Sequence, residues 1–237
     1  MGPRRPWLRS LLWLLAVWAV AAYLIVPWVW KNHFRRHPEA SSEPRITQTG
    51  DGHPGDPLNI ALLGAEVDVV KAMTAAGWYP ADPITFRTSV RIAADTVFRK
   101  PDDNAPVSNL FLFGRRQDLA FELPVGDSPR QRHHVRFWRS DKLKDEQTEW
   151  WGSATFDERV GLSYTTGQVT HHIGPDVDAE RDRIVDELQS KGWVLQVDWV
   201  DNFHPQREGR NGGGDPWHTD GRLAVVTLRV PSGTPAQ

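Results

Sequence analysis

Two pairs of adjacent histidines are the residues in this sequence best suited to chemistry. His133 and His134 lie in one segment of alternating apolar residues, and His171 and His172 lie in another. Because neighbouring side chains on a strand point to opposite faces, each pair can offer only one histidine to a site. His134 and His172 share a face with polar neighbours, so they are the candidates for acid–base catalysis. The competing interpretation is that these histidines bond to backbone groups or lie exposed.

Acidic residues follow the second histidine pair and raise the question of a metal site. Asp176 and Asp178 could add carboxylate ligands to His172. The same acids open an amphipathic helix, where helix capping alone would select them. In a simple meander His134 and His172 would lie on alternate strands about 9.6 Å apart, too far to share a metal but suited to flank a bound group. We expect no firm metal site, with His172, Asp176 and Asp178 as the candidates.

Arginines are concentrated between residues 114 and 140. The guanidinium group binds phosphate and carboxylate through paired hydrogen bonds. Arginines on strands near a membrane could therefore receive an anionic lipid headgroup, and we predict a ligand site formed by Arg115, Arg116 and Arg136. The alternative is a solvated sheet face on which these arginines pair with nearby acids.

The composition excludes several classes of protein. With no cysteine, the chain has no disulfide, no thiolate nucleophile and no thiolate zinc site. It carries 28 basic and 30 acidic side chains, and Arg4, Arg5 and Arg9 precede the apolar segment, so the remainder is acidic and no nucleic acid partner is expected. The sequence contains no Walker loop, GxSxG, HExxH or dinucleotide-binding glycine fingerprint, so no cofactor is expected.

Residues 11–30 carry no charge and predict a transmembrane helix. At about 1.5 Å per residue such a helix is about 30 Å long, which matches the hydrocarbon thickness of a bilayer. Trp7 and Trp28 lie near its ends, where aromatic belts form. The alternative is a cleaved signal peptide with a site near Ala19 and Ala21, but the apolar run continues beyond it. We therefore expect a single-pass anchor within residues 1–30.

Basic residues flank both ends of this anchor, so charge specifies its orientation poorly. We expect an inner-membrane protein with its large domain on the outer, periplasmic side. Residues 31–57 are polar and rich in turn-forming residues, which predicts a flexible linker that holds the domain off the bilayer. The main domain is predicted over residues 58–203. Residues 204–237 are predicted to form a mobile glycine-rich loop, a closing strand and a tail.

Periodicity within the domain predicts an α+β fold. A buried strand at 58–63 precedes a helix that ends near Gly77, and the dipeptide Asp82-Pro83 begins a second helix that reaches about residue 99. A third helix is predicted over 177–191. Five strands are predicted to form an antiparallel meander, the first two joined as a hairpin, at residues 108–114, 119–125, 133–140, 150–157 and 162–173. With two closing strands at 193–202 and 222–230, we expect a mainly antiparallel sheet of five to eight strands covered by about three helices.

Several longer motifs resemble one known family. They include Gly77-Trp78-Tyr79-Pro80, His134-Val135-Arg136-Phe137-Trp138 and Thr170-His171-His172-Ile173. Across about residues 55–203 the sequence resembles the bacterial LssY C-terminal domain, whose function is unknown. In larger relatives this domain follows membrane modules of the DedA or lipid-phosphate phosphatase type. Because this chain has a single anchor in their place, the resemblance does not imply phosphatase activity.

Two functions from different classes are consistent with the sequence. The favoured one is an accessory or binding module of the bacterial envelope, without chemistry of its own, that presents its arginines to an anionic lipid or a membrane protein partner. The alternative is a hydrolase of a phosphoester or similar envelope substrate, with His134 and His172 as acid, base or metal ligands and Arg136 on the anion. Convergence of these side chains on one pocket would favour the enzyme.

Overall fold

The structure is a computed structural model and describes residues 6–36, 45–81, 109–126 and 131–229. The helix predicted over 82–99 lies outside these residues. In chain order the helices are α1 Pro6–Val20, α2 Val26–Arg36, α3 Glu66–Ala75 and α4 Val177–Ser190. The strands are β1 Ile46–Thr49, β2 Pro54–Pro57, β3 Ile60–Leu63, β4 Tyr79–Pro80, β5 Leu110–Leu112, β6 Arg115–Arg116, β7 Leu119–Pro124, β8 Arg132–Lys144, β9 Gln147–Leu162, β10 Val169–Ile173, β11 Val194–Val200, β12 Glu208–Arg210, β13 Pro216–His218 and β14 Leu223–Leu228.

A long apolar helix precedes the domain. Helices α1 and α2 are joined by a π-helical turn at Ala21–Ile25. The segment Trp7–Phe34, 28 residues, is long and apolar enough to cross a membrane. It contains the span predicted at residues 11–30.

An eight-stranded sheet forms the centre of the domain. Its order is β11-β14-β3-β9-β8-β7-β4, and β10 pairs with the far end of β9. Every described pairing in this sheet is antiparallel except that of β3 with β14. The mainly antiparallel α+β fold class is therefore confirmed. The closing strand β14 lies beside β3 in the middle of the sheet, so the chain after residue 203 is an integral part of the domain.

The first face of this sheet is apolar and is covered by α3 and α4. Alternate residues of each strand point to it, for example Phe121 on β7 and Val135 on β8, and they pack with Ile184 and Leu188 of α4. These four side chains are fully buried. Burial of each stabilises the fold by about 1.5–3 kcal/mol. The predicted third helix is confirmed, with its apolar side on this core.

The second face is divided into an apolar and a polar half. Over β3 and β14 it is apolar, with Leu63 and Val225 packed against Trp138 and Phe203. Over much of β7, β8 and β9 it carries buried polar or charged side chains, namely Glu122, Arg132, His134, Arg136, Ser153, Thr155 and Asp157. A smaller sheet of order β2-β1-β5-β6 belongs to the same side, since β2 contacts β9. The polar half therefore lies inside the domain and not on its surface.

Two predicted features differ from the structure. The meander is formed by β7, β8, β9 and β10, but β5 pairs with β1 and β6 and not with β7. The reason is the turn after Leu112, where Phe113 and Gly114 have φ of 54° and 74°. Two consecutive positive φ values reverse the chain within two residues and so close the β5–β6 hairpin.

The described part of the region predicted as a flexible linker, residues 31–36 and 45–57, contains regular secondary structure. Residues 31–57 contain the end of α2 and the strands β1 and β2. The turn between these strands packs on α2, because the His53 ring lies 4.5 Å from that of Trp30 and 5.0 Å from that of Phe34. Histidine and glycine in this segment serve packing, and a composition typical of linkers does not reveal that. The domain is held against the helix.

Asn59 offers a test of how the central strands are joined to α4. Its Nδ2 donates to the carbonyls of Ala154 at 2.9 Å and Val177 at 2.7 Å, and its Oδ1 accepts from the Ala154 amide. Asn59→Ala would leave these buried backbone groups unpaired, and we expect the free energy of unfolding to fall by about 3 kcal/mol. Denaturant unfolding of the full-length protein in detergent measures it.

The matched control is Gln196→Ala, since Gln196 is exposed and its side chain donates to the exposed side chain of Asp198 on the same strand. Its effect should stay within about 0.5 kcal/mol of the wild type. Equal stabilities for the two variants would contradict the role given to Asn59.

Candidate functional site

A cavity of about 600 Å³ lies between the N-terminal helix and the polar half of the sheet. We call it the main cavity. Pro27, Trp28 and Lys31 of α2 form one wall. The β1–β2 turn, β5, β10 and the glycine-rich loop after β12 surround the rest, and Arg136 and Asp157 contribute from β8 and β9. The cavity is thus built where the apolar helix leaves its uncharged span and meets the domain.

Charged side chains of both signs line the main cavity. The cations are Lys31, Arg116 and Arg136, and the acids are Asp51, Asp56 and Asp157. Arg116 is exposed, whereas Arg136, Asp56 and Asp157 are buried. The cavity therefore combines exposed cations, Lys31 and Arg116, with buried charges in its interior.

Ion pairs fix the interior charges in place. Arg132 donates from Nε to Asp157 at 2.9 Å and from Nη1 to Glu122 at 3.0 Å. Strand register brings these side chains together, because Arg132 on β8 is the direct partner of Asp157 on β9. Arg136, four residues after Arg132 and on the same face of β8, lies 3.5 Å from Asp56 of β2. The four strands β2, β7, β8 and β9 are joined by this charged network.

The main cavity shifts the ionisation of Asp56. Burial raises the pKa of its carboxyl above the ordinary value, and nearby Asp157 and Asp215 act in the same direction. Arg136 and a hydrogen bond of 3.1 Å from Asn211 oppose this shift. Asp56 consequently retains a proton more readily than a carboxyl in water.

His134 lies within the polar half of the sheet and is only 1% exposed. Neither ring nitrogen has a hydrogen-bond partner within the described part of the chain. Burial lowers the pKa of His134 well below its usual range, and the neighbouring Arg136, Arg132 and His171 lower it further. The ring is therefore neutral near pH 7.

The other histidines are placed separately. His133 points to the first face, where its Nδ1 lies 2.7 Å from Glu180 of α4. His171 lines the main cavity. His172 lies 2.6 Å from Asp215 and lines a second cavity of about 570 Å³ together with Tyr164. The two residues singled out by sequence, His134 and His172, are therefore not brought together.

Strand alternation places His171 and His172 on opposite sides of β10, and His171 is the one that lies near His134. His134 is opposite Thr155 of β9, but His172 is opposite Arg159, four residues farther along that strand. The pairing of β10 also shifts between His172 and Ile173. Alternation along a strand predicts that the two histidines face opposite sides, but it does not predict which of them faces the main cavity.

Asp176 and Asp178 take part in local structure. The Asp176 carboxylate accepts from the amides of Asp178 and Ala179 at 3.1 Å each, which makes it the N-cap of α4. Asp178 accepts from Arg181 at 3.0 Å and from Thr219 at 2.8 Å. Within the described ranges no group of three histidine or carboxylate side chains is arranged to hold a metal ion.

The three predicted arginines divide between two environments. Arg136 and Arg116 line the main cavity. Arg115 instead pairs with Asp118 and donates to the carbonyl of Arg139. Because Arg115 and Arg116 are adjacent on β6, strand alternation sends only one of them towards the cavity.

Sequence reasoning missed four residues that line or support the site: Lys31, Asp56, Asp157 and Asn211. A polar period of two at Ser153, Thr155 and Asp157 was a signal that could have indicated the buried polar face. The glycine-rich loop, predicted as a mobile excursion, forms part of the cavity wall. Its Asn211 accepts from Gly213 and Asp215 through Oδ1 and donates to Asp56.

A family model described as LssY C-terminus matches residues 40–223. This is more than half of the chain. The chain belongs to the LssY C-terminus family. No curated protein and no solved structure is significantly similar to it.

The LssY C-terminus match extends beyond residues 55–203 at both ends and includes β1 and the loop after β12. Most of the main cavity therefore belongs to the LssY C-terminus region. Its remaining wall, formed by Pro27, Trp28 and Lys31, comes from the apolar helix that precedes the matched residues. The resemblance stated from the sequence is confirmed.

The buried neutral His134 predicts a loss of stability in acid. Its folded-state pKa lies below the ordinary 6.5, so as pH falls below 6.5 the unfolded chain takes up a proton that the folded protein excludes. The free energy of unfolding should fall with decreasing pH in that window, by at most about 1.4 kcal/mol per pH unit from this residue. His134→Gln should lose that part of the slope.

Unfolding of both proteins between pH 7.5 and 5 checks this, and the difference between their slopes is the quantity to compare. Identical slopes would show that His134 is not held neutral. A matched control is His218→Gln on the exposed surface of β13, which should keep the wild-type slope.

Proposed function

We propose that this chain is a membrane-anchored binding module of the bacterial envelope that takes the phosphate-bearing headgroup of a membrane amphiphile into the main cavity. The observation that carries the proposal is the position of Lys31, Arg116 and Arg136 around one cavity whose wall is the apolar helix itself. A ligand with its tail beside this helix would present its headgroup to these cations.

The interior arrangement supports binding of an anion. Arg136 is oriented by Asp56 before any ligand arrives, which reduces the entropy lost on binding. Asp56 itself has a raised pKa, so its negative charge is weakened where the ligand would enter.

The membrane setting is part of the same proposal. The helix at Trp7–Phe34 acts as a single-pass signal anchor in the inner membrane, with the domain on the periplasmic side. Support comes from its length, its apolar character and its position near the N-terminus. The short segment that precedes it would remain on the inner side.

The hydrolase alternative relied on His134 and His172 together with Arg136. These histidines face different parts of the domain, and His172 is engaged by Asp215. The geometry therefore favours binding over hydrolysis, and phosphate release is the measurement that separates the two. A membrane protein partner remains an outcome of the same test.

Arg116 and its neighbour Arg115 provide the test of the cavity. Dihexanoyl phosphatidic acid is titrated into the full-length protein in detergent, and its Kd is measured by calorimetry. Arg116→Ala removes a cation at the cavity rim, and we expect Kd to rise about threefold to tenfold, more at low salt than at high salt. Arg115→Ala removes the same charge outside the cavity and should leave Kd unchanged.

Glycerol 3-phosphate and inorganic phosphate distinguish a lipid from a soluble phosphate. Binding of the lipid alone supports the proposal, whereas equal binding of inorganic phosphate indicates a soluble anion site. Equal losses in the two variants, or no binding, would overturn it and direct attention to a protein partner. Steady release of phosphate from the lipid would favour the hydrolase.

A further inference from the structure

We propose that the far end of the β9–β10 hairpin inserts into the lipid leaflet beside the N-terminal helix. We call residues 160–169 the hairpin tip. The inference goes beyond the headgroup site, and it rests on the proposed membrane anchor. In this arrangement the domain is partly immersed in the bilayer, whereas the sequence led us to expect a domain held off its surface.

Two hydrogen bonds join the hairpin tip to the helix. Gln168 donates from Nε2 to the Ala22 carbonyl at 3.0 Å, and the Val169 amide donates to the Tyr23 hydroxyl at 3.1 Å. Ala22 is buried by this contact. A Cβ built on Gly167 would lie 3.8 Å from the Ala22 Cβ, so the turn packs directly on the helix.

The contact lies within the uncharged part of the helix. Ala22 precedes Trp30, the last residue of the uncharged run, by eight positions. At about 1.5 Å per residue this is about 12 Å along the axis. If residues 11–30 span the bilayer, the hairpin tip lies at the depth of the acyl chains.

The helix has a local irregularity at the same place. In the π-helical turn the Val26 amide donates to the Ala21 carbonyl, five residues earlier. In the same pattern, the amide of residue 27 would donate to the Ala22 carbonyl. That residue is Pro27, which has no N–H. Gln168 therefore supplies a donor to a carbonyl that the helix itself does not satisfy, as an apolar surrounding requires.

The side chains of the hairpin tip are arranged for an apolar surrounding. Leu162, Tyr164 and Val169 are 52%, 67% and 55% exposed, and Val160 is also exposed. The Tyr164 hydroxyl accepts from Arg159 at 2.9 Å. Apolar groups thus point outward from a turn that lies against a membrane helix.

The polar groups of the same turn point inward and are paired. Ser163 Oγ accepts from the amides of Thr165 and Thr166, at 3.3 and 3.2 Å. Thr165 Oγ1 donates to the Gly212 carbonyl. Hydrocarbon requires that polar groups be satisfied within the protein, and these hydroxyls meet that requirement. The lipid leaflet is therefore the occupant that this surface fits.

The absence of cysteine from the sequence makes site-specific labelling direct. Leu162→Cys and Val169→Cys place a thiol on the hairpin tip, and Trp13→Cys places one on the exposed surface of the helix. Leu143→Cys is the matched control, because Leu143 is an apolar side chain of β8 that is 66% exposed and pairs with Thr148 at the opposite end of β9 from the hairpin tip. The 16 residues of β9 span at most about 50 Å, and this length separates the control label from the hairpin tip.

Each variant of the full-length protein is labelled with a nitrobenzoxadiazole fluorophore and reconstituted in phosphatidylethanolamine–phosphatidylglycerol vesicles. Quenching by lipids with a nitroxide on the acyl chain reports immersion, and quenching by iodide reports exposure to water. We expect labels at Leu162→Cys and Val169→Cys to be quenched by the nitroxide lipid at least threefold more than the label at Leu143→Cys. Iodide should instead quench the label at Leu143→Cys more strongly than the two hairpin labels.

The label at Trp13→Cys separates this inference from the anchor. If it is immersed while the two hairpin labels are as accessible to iodide as that at Leu143→Cys, the anchor stands and the insertion is overturned. Equal immersion of the Leu143→Cys label also overturns it, because the domain would then lie on the membrane without a defined tip. Arg116→Ala should not change the depth of the hairpin labels.

Discussion

The charged network centred on Arg132 is the constraint on which the interior of this domain depends. A guanidinium buried between β7, β8 and β9 is tolerated only if carboxylates neutralise it, and Glu122 and Asp157 do so at 3.0 and 2.9 Å. Such pairs add little net stability, but loss of one partner costs about 3–5 kcal/mol because a charge is left buried. The network therefore fixes strand register and commits half of the second face to polar side chains. Asp56 and Arg136 lie in this polar half of the face, and the main cavity forms over them.

Regular local patterns predicted much of this fold. The apolar helix, α4 and the meander of β7 to β10 could be predicted from the hydrophobic pattern, because each places apolar residues at regular intervals along a continuous stretch of sequence. The hydrophobic pattern of a strand does not show which distant strand it pairs with. The two-residue turn at Phe113 and Gly114 diverted β5 to the smaller sheet, and the parallel pairing of β14 with β3 joins segments more than 160 residues apart. Neither is visible in a local window.

The residues of the candidate site, like the fold, could be predicted only in part from the sequence. Arg116, Arg136 and His134 were identified because arginine and histidine are chemically conspicuous and strand alternation assigns their faces. The acids of the main cavity were overlooked because isolated aspartates are frequent in loops and at helix starts. His171 and His172 show the limit of this reasoning, since alternation assigns them to opposite faces but does not tell which face borders the main cavity. Lys31 could not have been assigned to a site while its segment was expected to be a linker.

The hairpin tip and the main cavity share one short segment, which links the two proposals mechanically. Ser163, Thr166 and Gln168 line the cavity, while Leu162 and Val169 on either side of them are exposed. If the exposed residues lie among acyl chains, the polar ones lie just inside the protein at that depth. The cavity then extends from the acyl region past Trp28 to Lys31, a path that a lipid headgroup can follow without crossing bulk water. Insertion of the tip would thus set the height of the cavity relative to the leaflet, and Gln168, bonded to the helix at Ala22, would hold it there.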